Sequence, residues 1–230
     1  MIKVGVLAVL AIAVGTGRDA RVIVRGLEAH YHDARTLKAA FLERYSQGGQ
    51  ATQVESGTVY FARSGRMRWE YESPETKLFL VDGKNVWFYV PVDRTASRAT
   101  LRESSDWRTP LALLAGKVNL ARLCGSLELA GPGTDSAGAT VAESGNRVLR
   151  CLPRGERTAT SETYFREVLF EVDFEFRLVR VVIRQAGDIE TDFRFGNWEE
   201  NAIVPESKFH FEPPPGVAIV DEASLAGEIH

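Results

Sequence analysis

From residue 18 to residue 34 the apolar side chains Ala20, Ile23, Val24, Leu27, Tyr31 and Ala34 recur at steps of three and four, the spacing of a helix that lays one stripe on a core. After that the period shortens to two. Leu37, Ala39 and Phe41 alternate with polar neighbours, and Val59 and Phe61 alternate with Thr58 and Tyr60, as in strands with one buried face. The stretches 66–72, 77–82, 85–92 and 96–103 carry the pattern on, and Asp82-Gly83 between two apolar runs is a hairpin signal. A second helical window opens at Thr109-Pro110 and runs through Leu111, Leu113 and Leu114 to Gly116, with Thr109 placed to cap and Pro110 at the first helical position. Residues 130–146, rich in Gly, Ser and Ala, read as an excursion or a weak hairpin. Strands resume at 147–152, 163–173, 176–185, 188–198 and 207–212, before a Pro-Pro-Pro-Gly turn and an acidic tail.

The pattern predicts one mainly β domain over residues 18–230, with about ten or eleven strands and two or three short helices. A large antiparallel sheet has an apolar face that needs cover, and helices about 10 Å wide are too few to tile it. Either the sheet curls on itself or an apolar hollow remains. A curled sheet under a partial helical lid offers the concave apolar space that lipid-like ligands occupy.

Residues 1–17 stand apart. Lys3 precedes an apolar run from Val4 to Val14, and Gly15, Thr16 and Gly17 follow, the pattern of a secretory signal removed on export. The run is shorter than the ~20 residues of a membrane span. Export makes Cys124 and Cys151 informative, because disulfides persist outside the cytoplasm; they are either bridged or two buried free thiols.

The charge balance, 28 Lys and Arg against 31 Asp and Glu, offers nothing to nucleic acid. His30 and His32 lie two apart on a helix and diverge, and His210 is isolated, so no metal set emerges. No nucleophile elbow, P-loop or dinucleotide fingerprint is present. No enzyme, metal or cofactor is expected.

Residues 57–71, GTVYFARSGRMRWEY, followed by Ser73-Pro74, Val81-Asp82-Gly83-Lys84 and Val86-Trp87-Phe88-Tyr89, resemble the LolA family of periplasmic outer-membrane lipoprotein carriers. Thr109-Pro110 with its Leu-rich continuation resembles that family's lid helix, and 209–217, FHFEPPPGV, its C-terminal strand and turn. Two departures stand out: Ser64 where the family usually has Pro, and Met67 where it usually has an aromatic residue. The resemblance implies an unclosed antiparallel barrel whose helices cover a cavity for lipoprotein acyl chains. It implies a periplasmic monomer that takes cargo from an inner-membrane ABC transporter and passes it to an outer-membrane receptor. The alternative is a module of the same fold that senses lipid or lipoprotein without shuttling it.

Within that frame Val59, Phe61, Met67, Trp69 and Phe79, with Leu111, Leu113 and Leu114, are expected to line the acyl-chain site. Arg63 lies two residues after Phe61 and four after Val59, so alternation puts it on the same face. Pointed inward, its guanidinium would need carbonyls at the end of a lid helix and would lock the empty carrier shut. If the strand instead ends at Ser64-Gly65, Arg63 is solvated.

Overall fold

The computed structural model describes residues 17–63, 65–100, 120, 124–130, 145–153 and 165–221. A helix, α1 (Gly17–His32), is followed by β1 (Thr36–Gln47), β2 (Gln50–Ala62), β3 (Arg66–Ser73), β4 (Lys77–Val81), β5 (Asn85–Val90) and β6 (Thr95–Thr100). Then come β7 (Cys124–Ala130), β8 (Arg147–Pro153), β9 (Glu167–Val172), β10 (Leu178–Arg184), β11 (Ile189–Glu200) and β12 (Ala218–Asp221), with a 3-10 turn at Glu206–Phe209 before the last. All twelve strands form one sheet in the order β12-β6-β5-β4-β3-β2-β1-β11-β10-β9-β8-β7, and it is not closed. Neighbours are antiparallel except β12, which runs parallel to β6.

The two faces are covered differently. On the inner face, Val59, Phe61, Trp69, Phe79, Phe170 and Phe193 join Ala20, Ile23, Leu27 and Tyr31 of α1 in a single buried cluster. The helix therefore lays its apolar stripe across the sheet, as its spacing predicts. Tyr31 and Trp198 pin it: the Tyr31 hydroxyl accepts the Leu178 N–H at 3.0 Å, and the Trp198 indole donates to the Leu178 carbonyl at 2.9 Å. Burial pushes the Tyr31 phenol well above its ordinary range. On the outer face, Ala62, Leu78, Leu80 and Trp87 pack under Phe209 and, at the edge, Phe211, which the segment after β11 carries back over β2–β5. The consecutive Trp87, Phe88 and Tyr89 divide accordingly, with Phe88 against the inner cluster and its neighbours against the outer one.

Some expectations change. Residues 207–212 alternate like a strand, but their start is the 3-10 turn and their aromatic rings serve as a strap on the sheet's outer surface. β7 and β12 are not apparent from the pattern, and the described residues hold twelve strands and one α-helix. The predicted helix at Thr109–Gly116, with Leu111, Leu113 and Leu114, lies outside the described residues. Cys124 and Cys151 are joined by a disulfide across the β7–β8 pair, so the choice between bridge and free thiols falls to the bridge.

Candidate functional site

Register explains why residues scattered along the chain share one wall. Phe61 stands opposite Met67 and Val59 opposite Trp69, and Trp69 in turn stands opposite Phe79, so all five lie on the inner face. Each is almost wholly buried. Trp69 is the centre of an aromatic cage: Phe41, Phe193, Phe61 and Phe195 have ring centroids 4.8, 5.4, 6.0 and 6.1 Å from it. In the sequence Phe193 and Phe195 are legible only as alternating residues of a late strand. They reach the wall because β11 pairs with β1, which sets Phe195 opposite Phe41. Leu120, which the pattern does not single out, is buried in the same cluster, and its N–H donates to Glu28 of α1 at 3.1 Å.

The inner face becomes polar toward the β1–β2 hairpin. Glu43 stands opposite Glu55, and Lys77 opposite Tyr71, all four on the face that carries Phe41. The Tyr71 hydroxyl donates to Glu43 at 2.7 Å, and the Lys77 ammonium to Glu55 at 2.5 Å. The wall is thus aromatic along its middle and charge-paired at this end.

At the opposite end β2 stops at Ala62, and a turn through Gly65, whose φ is 73°, leads into β3. Arg63 lies in that turn and is exposed. Alternation with Val59 and Phe61 ends with the strand, which is why the inward placement does not hold. The guanidinium instead reaches the last carbonyl of α1 and one just beyond the helix: Nη2 donates to His32 at 2.8 Å and Nε to Ala34 at 3.4 Å. The helix dipole favours a cation there. Arg63, Arg35, Thr36, Arg66, Glu206 and Phe209 border a cleft of about 610 Å³ at this rim. Arg66 pairs with Glu206 and lies over the Phe209 ring.

An unclosed antiparallel sheet with an aromatic inner wall, one helix across it and a cationic rim is the build of a binding protein for apolar chains. A family model described as outer membrane lipoprotein carrier protein LolA matches residues 32–123. An outer-membrane lipoprotein carrier protein of Nitrosospira multiformis is 28% identical over 202 residues, 86% of this chain and 88% of that one. Its counterpart from Methylibium petroleiphilum is 29% identical over 219 residues, 93% and 96% of the two chains. An uncharacterized conserved protein of Thermus thermophilus shares the fold with a TM-score of 0.54 at 14% identity, covering 88% of this chain and 99% of that one. Over residues 32–123 the chain is thus similar to the LolA family, and over most of its length to proteins named outer-membrane lipoprotein carriers.

Proposed function

We propose that this protein is a periplasmic carrier that holds lipoprotein acyl chains between the inner sheet face and its helical cover, and shuttles lipoproteins from the inner to the outer membrane. The observation that carries the reading is the apolar wall of Val59, Phe61, Met67, Trp69 and Phe79 on the inner face of a chain similar to the LolA family over residues 32–123. Leu111, Leu113 and Leu114 complete the wall in this reading. An inner-membrane ABC transporter supplies the cargo and an outer-membrane receptor takes it; residues 1–17 are the export signal, and the carrier works as a monomer without catalysis.

Release needs a brake. Each buried CH₂ stabilises by ~0.8 kcal/mol, so a dozen approach 10 kcal/mol before the costs of binding are subtracted. Hydrogen bonds to a charged group contribute ~1.5–3 kcal/mol, and those from Arg63 to the His32 and Ala34 carbonyls favour the closed, empty state. Cargo that displaces α1 must break them, which lowers net affinity and favours handover.

The test is a transfer assay. The purified protein is incubated with spheroplasts that hold a labelled outer-membrane lipoprotein, and the soluble fraction is then mixed with outer membranes. A carrier releases the lipoprotein as a soluble complex and delivers it. A sensing module binds without delivering, and absence of any soluble complex contradicts the proposal.

A further inference from the structure

Trp69 carries a polar group without a hydrogen-bond partner among the described residues. Its side chain is fully buried, and its indole N–H meets no acceptor among the described residues. The rings of Phe41, Phe61, Phe193 and Phe195 that surround it offer none. Buried donors are nearly always satisfied, so an orphan in a candidate ligand wall needs an explanation. The contrast with Trp198 is direct, since that indole, also packed on the core, donates to the Leu178 carbonyl.

The geometry points to the Trp69 indole as the donor that receives an acyl carbonyl of the cargo, the ester or amide oxygen at the head of a fatty chain. This assignment rests on the carrier reading and adds to it a rule of selection: carbonyl-headed chains are preferred over plain alkyl chains. An alkane offers the orphan donor nothing, whereas an ester satisfies it in a low-dielectric site, where a hydrogen bond counts for most. Trp69 lies four residues along β3 from the turn at Gly65, about 13 Å at ~3.3 Å per residue. A carbonyl held there leaves the hydrocarbon among the phenylalanines of the inner face.

The probes are 1-palmitoylglycerol and 1-O-hexadecylglycerol, which differ by the carbonyl oxygen, titrated against the purified protein and against Trp69→Phe. The wild type is expected to prefer the ester by about fivefold to tenfold, the yield of one net hydrogen bond, and Trp69→Phe to reduce that preference to near unity. Should the variant fold poorly, the wild type alone decides: the Trp69 indole proton in a ¹⁵N-labelled sample should move downfield with the ester and not with the ether. If both probes bind the wild type equally and the indole signal responds alike, the assignment falls while the carrier reading stands. An N–H that merely leans on a phenyl face gives that result. If neither probe binds, the carrier reading falls as well.

Discussion

The ring of Phe176 occupies the space that a side chain at position 26 would need: a Cβ added to Gly26 would lie 2.2 Å from Phe176 Cδ1. The ring has little room to retreat. Phe176 adopts φ 63° in the turn between β9 and β10, the Arg147 guanidinium lies 4.8 Å from its centroid, and Asp173 accepts the N–H groups of Glu175 and Arg177 to hold the turn. Helix α1 therefore crosses this turn at its glycine. In an ordinary helix, Gly→Ala gains up to about 1 kcal/mol. Here Gly26→Ala should lose about 1–3 kcal/mol in urea unfolding, because overpacking outweighs propensity, and adding Phe176→Ala should restore part of it. A more stable Gly26→Ala would show that the helix is not seated on this ring.

Arg63→Leu removes the guanidinium from the His32 and Ala34 carbonyls. The variant should accept lipoprotein and deliver it more slowly than the wild type in the transfer assay, as the closed empty state loses its polar bonds. Delivery at the wild-type rate would remove Arg63 from the release step.

Acid should weaken the outer face of β8–β11. Burial alone would raise the Glu167 carboxyl, but hydrogen bonds from Arg150 and Arg184 outweigh it and hold the group below the usual carboxylate range. Asp173 is lowered in the same way, its burial outweighed by the Arg177 backbone and side-chain bonds. A carboxylate depressed in the folded state stabilises fully above its unfolded pKa of about 4 and loses that contribution as pH falls through its folded value. The urea midpoint should stay level from about pH 7 to 5 and fall below about 4. Glu167→Gln should start lower at neutral pH and decline less steeply; an unchanged acid slope would contradict this.

The disulfide joins residues 27 apart in sequence. Constraint of the unfolded chain predicts that reduction lowers stability by about 3–4 kcal/mol. Urea unfolding with and without reductant measures it, and coincident curves would show that the bridge contributes nothing.

Much of the β1–β5 half is legible in the sequence because each strand has one apolar and one polar face. Parity alone places Val59, Phe61, Met67, Trp69 and Phe79 together, and the register gives them that common face. Parity fails for Arg63 because it says nothing about where a strand stops, and Ala62 is the last paired residue. β7, CGSLELA, is a sheet edge that alternates weakly, so the period-two signal that marks its partner β8 is faint in it. The Phe209 and Phe211 strap mimics a strand because rings packed on a sheet's outer surface repeat at the same period as rings within it. The Phe193 and Phe195 share of the wall follows from the β1–β11 pairing, a contact over about 150 residues that local periodicity does not encode.

The most direct test is native mass spectrometry of the protein recovered from the cell envelope without detergent. A carrier whose aromatic wall holds acyl chains should carry a population heavier by the mass of an acylated lipoprotein, one per chain, and that population should be lost when Phe61 and Trp69 are both replaced by Asp while a folded, bridged protein remains. A protein that emerges at its bare mass alone, even when the transporter that would load it is overproduced, would contradict the account.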